Sequence, residues 1–375
     1  VIQGLVVYGI NGGLPGIFDG PVACGGINWT EHLSGGQSQW QCVAFCPTLG
    51  ASGRLVAVGQ PGSVPDFDSV MTSDDGGTTW TIQGDRPEGF WFSVIWVTEL
   101  NLFVAVGSMV PFFGYEDTTG IMTSPDGITW TQRDSPDAEV DVDHHLWTSV
   151  VWSPELALLV AVSQSTGNAA RPLVMTSPDA VNWTLQDSPD QGDGYWNNVT
   201  WSARLGKFFV CGWGNFDFPH IMSSANGSDW ANATIPDSDN FYTAIVDSPT
   251  VGRIVAVSTA GAGVDNHTIY SDDGITWAIG SIPPGIADTF QQEYYAVCWA
   301  SGLNLFVAVG LNDNDALDDG FRFSDDGIIW TQAALPNTNL FRSVIWVAEL
   351  DYLVAVGQLN EGTNGANVLT GVCSD

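Results

Sequence analysis

Trp91-Phe-Ser-Val-Ile-Trp-Val97, Leu102-Phe-Val-Ala-Val-Gly107, Ile121-Met-Thr-Ser124 and Thr129-Trp-Thr131 follow one another within about forty residues. All four runs are rich in β-branched and aromatic residues and too short for helices, and turn residues separate them, so each reads as a strand. Leu-Phe-Val-Ala-Val has no polar alternation, which suits a strand buried on both faces. The same order of runs recurs over Ser149–Trp183, Asn198–Trp230, Ala244–Trp277 and Ala296–Trp330. Each unit closes on a tryptophan: Trp29, Trp80, Trp130, Trp183, Trp230, Trp277 and Trp330, spaced by 51, 50, 53, 47, 47 and 53 residues. Four short strands repeated at a period near fifty predict an all-β ring of packed sheets, a β-propeller.

The two ends divide one unit between them. Residues 342–375 supply three strands, and residues 21–32, containing Gly26-Ile-Asn-Trp29-Thr, supply the later part. A composite blade from about 341–375 plus 1–35 would close the ring and leave no exposed edge. This predicts seven four-stranded blades in one domain spanning 1–375. Leu5-Val-Val-Tyr-Gly9 has no place in that count; it extends the closing blade, forms half of an eighth, or pairs with another subunit.

The turn before each tryptophan carries its own signature: Ser73-Asp-Asp75-Gly-Gly77-Thr-Thr-Trp80, Ser124-Pro-Asp126-Gly127-Ile-Thr-Trp130, Ser271-Asp-Asp273-Gly274-Ile-Thr-Trp277 and Ser324-Asp-Asp326-Gly327-Ile-Ile-Trp330. Ser177-Pro-Asp179-Ala-Val-Asn-Trp183 and Ser224-Ala-Asn-Gly227-Ser-Asp-Trp230 are degenerate copies. Ser and Asp side chains can hold backbone N–H groups in a tight turn, and Gly supplies positive φ. These turns resemble the Asp-box, or bacterial neuraminidase repeat, of sialidase-like propellers. The shorter copies lack one residue of the family pattern. The resemblance implies a scaffold shared by sialidases, other glycosidases, receptor ectodomains and non-enzymatic assembly factors. It also places the boxes at the blade periphery, away from any active site.

A sialidase-like site would need clustered arginines, a Tyr–Glu nucleophile pair and an acid/base carboxylate. The arginines are Arg54, Arg86, Arg133, Arg171, Arg204, Arg253, Arg322 and Arg342. Arg54 and Arg253 share one repeat position, which suggests local ion pairs, and no Tyr–Glu pair stands out, although Glu293-Tyr294-Tyr295 holds both types. No catalytic residue is assigned. Strand one of every unit begins with an aromatic residue: Trp40, Trp91, Trp147, Trp196, Tyr242, Tyr294 and Phe341. These are candidates for a ligand-facing collar or for packing between blades. Five residues further on stand Phe45, Trp96, Trp152, Trp201, Asp247, Trp299 and Trp346, where Asp247 breaks the aromatic set.

Charge narrows the partners. Forty-two acidic residues face nine basic ones, giving a formal charge of −33. Such a surface repels nucleic-acid phosphates and anionic membranes. No run of about 18 apolar residues predicts a membrane span. The first residues, Val-Ile-Gln-Gly, suggest a processed end. Sequons at Asn28, Asn182, Asn198, Asn226, Asn232 and Asn266 suggest an extracellular, cell-surface or virion-surface protein. No cofactor is expected. Asp313, Asp315, Asp318 and Asp319 are oxygen-rich enough to suggest calcium but lack EF-hand spacing, and Asp141-Val-Asp-His-His145 is the one compact His–carboxylate cluster. Cys42 and Cys46 lie too far apart along one strand to bond, whereas a Cys24–Cys373 disulfide would lock the ring. The sequence therefore points to a non-enzymatic binding or structural module, with protein subunits or surface glycans as partners and a homo-oligomer or filament as its assembly. A sialidase-like hydrolase or lyase is the alternative.

Overall fold

A computed structural model describes residues 24–374 apart from 25, 37, 62–67, 109–119, 137–145, 165–171, 190–193, 215–219, 237–239, 260–267, 282–292, 312–319, 334, 338 and 359–366. Among the described residues the regular structure is entirely β and forms a β-propeller. Seven units of four antiparallel strands follow in chain order among the described residues, here blades 1 to 7. Their innermost strands are Gln39–Cys46, Phe90–Val97, Leu146–Ser153, Gly194–Ser202, Phe241–Ser248, Glu293–Ala300 and Leu340–Val347. Each packs against the next, and the strand of blade 7 packs against that of blade 1, so the ring is closed.

The second strands explain why the sheets stack. Arg54–Gln60, Leu102–Ser108, Leu158–Gln164 and Arg253–Thr259 each bury a continuous central run. Leu55, Val56, Ala57 and Val58 are all inaccessible to solvent. Apolar faces on both sides of every sheet leave each blade unstable alone and stable between neighbours. The core accordingly divides into inter-blade clusters, such as Phe103, Ala105 and Trp130 against Val56 and Val58.

Blade 7 is built from both ends of the chain. Val368–Cys373 is its third strand, and Ile27–His32 pairs with it in a six-residue antiparallel register from Ile27↔Cys373 to His32↔Val368. Cys24, just before that outer strand, forms a disulfide with Cys373 at a Cα–Cα distance of 5.6 Å. Cys24 thus anchors the entry to the fourth strand onto the end of the third. Leu5–Gly9 lies outside the described residues.

Candidate functional site

The aromatic position at the head of each inner strand organises the channel. Trp40, Trp91, Tyr242, Tyr294 and Phe341, with Trp147 and Trp196, are buried to within 1% of complete. This corrects the ligand-facing reading: the rings are packed between blades, as Trp91 is against Val56 and Val58 and Trp147 against Val104 and Val106, where their large apolar area is buried. The strand register then slips once, between the aromatic residue and the second residue after it, in every blade. Such a β-bulge leaves one residue unpaired and re-aims its side chain. The bulged residues are Gln41, Phe92, Thr148, Asn197, Thr243, Tyr295 and Arg342, and all seven line one cavity of about 660 Å³ on the axis.

That cavity mixes polar and apolar side chains and is almost uncharged. Its lining includes Gln39, Gln60, Gln164, Trp213 and Phe241 besides the bulged residues, and among the described lining residues it has one cation, Arg342, and no carboxylate. Trp213 stacks on Tyr195 at 4.2 Å and meets Phe241 edge-on at 5.0 Å, making an aromatic arc across blades 4 and 5. Phe241 is exposed. On the neighbouring blades 6 and 7 the Arg342 guanidinium lies 4.2 Å from the Tyr295 ring centroid, and the Tyr295 hydroxyl donates to Glu293. Burial lowers the pKa of Arg342, while Tyr295 and Glu293 oppose that shift. A Tyr–Glu pair thus exists, through Tyr295; the sequence missed it because Tyr294 occupies the repeat position and Tyr295 is exposed to the channel only by the bulge.

The arginines do not cluster there. Arg54 binds Asp74 through Nε at 2.7 Å, Arg253 binds Asp272 at 2.7 Å, and Arg204 binds Asp247 at 2.9 Å. Asp247 replaces a tryptophan at its repeat position in order to meet Arg204 and the Ser202 hydroxyl. Arg322 is buried under the Tyr294 ring. Arg171 lies outside the described residues.

The serine–aspartate turns sit between third and fourth strands and work as staples. In the first, Ser73 Oγ donates to Asp75 Oδ1 and accepts from Gly77 N, Thr79 N donates to Asp75 Oδ1, and Trp80 Nε1 donates to Gly77 O. The shorter turns keep the scheme through Ser124, Asp126, Gly127 and Trp130, through Ser177 and Asp179, through Ser271, Asp273 and Gly274, and through Ser324, Asp326 and Gly327. Asn226 substitutes for the aspartate in the turn of Ser224, Gly227 and Trp230. Trp183, Trp277 and Trp330 are buried like Trp80 and Trp130, whereas Trp29 and Trp230 are half-buried. Backbone N–H groups of Asn182 and Val181 outweigh the small cost of burial and hold Asp179 at about 2.

Of the sequons, Asn28, Asn182, Asn226 and Asn232 are exposed. Asn198 is corrected: it is half-buried on an inner strand, its amide donating to Ser149 and accepting from Ile245 N. A glycan has no room there. Asn266, the Asp141–His145 cluster and Asp313, Asp315, Asp318 and Asp319 lie outside the described residues. Among those described, no three metal-ligating side chains converge, and no helix is long and apolar enough to cross a membrane.

No family model matches the chain, and no curated protein does. The structure is similar to the streptogramin B lyase structure, with TM-score 0.64 and 9% identity over 94% of this chain and 99% of that one. It is similar to YCF48 bound to D1 peptide, with TM-score 0.59 and 14% identity over 97% and 100%. A Niastella koreensis GH74 enzyme gives TM-score 0.62 and 14% identity over 91% of this chain and 53% of that one. Likenesses at such identities show the fold, which carries both binding modules and enzymes.

Proposed function

We propose that this propeller is a non-catalytic binding module, acting at an extracellular, cell or virion surface, whose partner inserts a slender polar chain into the channel. One observation carries the reading. The position at the head of the inner strand is aromatic in all seven blades, while the bulged residue beside it varies among amide, hydroxyl, aromatic and cationic side chains: Gln41, Phe92, Thr148, Asn197, Thr243, Tyr295 and Arg342. A repeat that keeps its framework and varies its lining suits a recognition surface more than a structural plug. Amides and hydroxyls beside the Trp213 arc suit a peptide segment or a surface glycan; the YCF48 structure, titled as bound to D1 peptide, supports a protein partner. The hydrogen-bonded serine–aspartate turns support placing the chain among Asp-box propellers. The test is a paired glycan and peptide array probed with the wild type and with Thr243→Trp, which fills the channel. Specific hits lost in the variant support the reading; hits unchanged by a filled channel overturn it.

The Tyr295–Glu293 pair beneath Arg342 favours a second reading, a glycoside hydrolase. Turnover of a fluorogenic sialoside or another glycan substrate, abolished by Tyr295→Phe, would replace the first reading with the second.

A further inference from the structure

The inner strands are laced together by a belt of side-chain hydrogen bonds. In four blades the residue after the bulge accepts from the next blade's backbone: Val43 N donates to Ser343 Oγ, Val150 N to Ser93 Oγ, Val199 N to Ser149 Oγ and Ile245 N to Asn198 Oδ1. Cys42 Sγ donates to Val94 O at 3.5 Å. The belt therefore runs from blade 7 through blades 1, 2, 3 and 4 to blade 5. It stops where the reaching residue is Ala244 or Ala296. A methyl group accepts nothing.

Val297 and Val344 are the counterparts of Val43, and their registers are the same: Val43↔Ala57, Val297↔Ala308 and Val344↔Ala355. An inner strand in that register directs the N–H of this residue away from its paired strand. The cavity extends toward this part of the belt, since Val297 and Val344 line it while their counterparts Val43, Val94, Val150, Val199 and Ile245 do not. A second lacing, from Thr148, Asn197 and Thr243 to the carbonyls of Trp196, Tyr242 and Tyr294, also ends at blade 6. The next bulged residues are Tyr295 and Arg342, and Arg342 Nε is buried with no hydrogen-bond partner among the described residues.

We propose that the gap in the belt between blades 6 and 7 is an oxyanion site, in which the N–H group of Val344 and the guanidinium of Arg342 receive a carboxylate of the ligand. A backbone N–H and a guanidinium together suit a planar anion with four lone-pair positions. Glu293 keeps its charge while accepting from Tyr295 and still acts on Arg342, but among the described residues it forms no ion pair with the guanidinium, which leaves room for a ligand carboxylate. The net charge of −33 disfavours a polyanion, so the carboxylate belongs to a ligand otherwise neutral. This inference rests on the channel being the binding seat.

The test is calorimetric titration with N-acetylphenylalanine and its amide, and with glucuronate and glucose, so that the two sources of a carboxylate are separated. Either carboxylate is expected to bind at least tenfold more tightly than its uncharged partner. Arg342→Gln is expected to remove that preference. The double variant Ala244→Ser/Ala296→Ser completes the belt and leaves Arg342 in place; it is expected to weaken carboxylate binding tenfold or more without lowering thermal stability. Equal affinity for charged and uncharged ligands, no carboxylate binding, or unchanged binding in the belt-completed variant overturns the oxyanion site. Array hits that need the channel but no carboxylate would sink this inference and leave the binding module standing.

Discussion

Gly274 shows how much a single turn residue is asked to do. Its φ is 70°, and a Cβ there would stand 2.4 Å from the Phe209 ring. Ala180 holds the same turn position in another blade at φ 61° and is fully buried, so the methyl group fits where no ring presses on it. Gly274→Ala combines left-handed strain with overpacking and is expected to cost about 2–4 kcal/mol in urea denaturation. The aspartates of the same turns set an acid limit. Asp179 and Asp273 are held at about 2 by N–H groups of Asn182 and Thr276, below the ordinary 3.8. A depressed carboxylate adds stability that is complete above the unfolded pKa and is lost as pH falls through the folded one. Asp179→Asn and Asp273→Asn are therefore expected to flatten the fall in unfolding free energy between about pH 4 and pH 2. An unchanged slope would show that the turns do not set the acid limit. Asn226, which performs the same turn without a carboxylate, indicates that the variants will fold.

Between elements, three arginines join one blade to the next, and burial ranks them. Arg54 and Arg253 fork onto Asp74 and Asp272 and reach the carbonyls of Asp126 and Asp326 in the following blade. Their carboxylates are 47% and 63% exposed, so Arg54→Gln is expected to cost no more than about 1 kcal/mol, less in high salt. Asp247 is 5% exposed, and Arg204→Gln leaves its charge with only the Ser202 hydroxyl as a partner, for an expected loss of about 2–3 kcal/mol. Chemical denaturation of the two variants side by side checks the order. These elements also mark what sequence could and could not show. The strands, the turns and the composite blade were legible because each is a local pattern repeated in register. The lining was not, because a bulge shifts every side chain after it by one position. Trp40 and its counterparts occupy the conspicuous repeat position and are buried, whereas Gln41, Tyr295 and Arg342 occupy the next, where the repeat shows no pattern at all. That irregularity was the available signal.

At the scale of the whole molecule, the ring has one joint. The outer strand Ile27–His32 is held by six register positions, by Ser374 N donating to Gly26 O and by the Cys24–Cys373 disulfide. Its partners are far apart in the chain, so the cross-link removes a large share of the unfolded chain's freedom. Cys24→Ser, or reduction with dithiothreitol, is expected to lower stability by about 2–4 kcal/mol and to raise hydrogen exchange first in Val368–Cys373. A variant as stable as the oxidised protein would show that strand pairing alone seals the ring.

The joint also has a consequence in time. Ile27 and its partner Cys373 are separated by 346 residues of synthesis, which at roughly 5–20 residues per second is on the order of tens of seconds on the ribosome. Throughout that interval the segment Ile27–His32 waits outside the exit tunnel with no strand to pair with, while six blades form behind it. Solitary strands invite wrong partners. The segment reads Ile-Asn-Trp-Thr-Glu-His, with polar residues at four of its six places, a composition suited to a long wait in water before the last strand arrives.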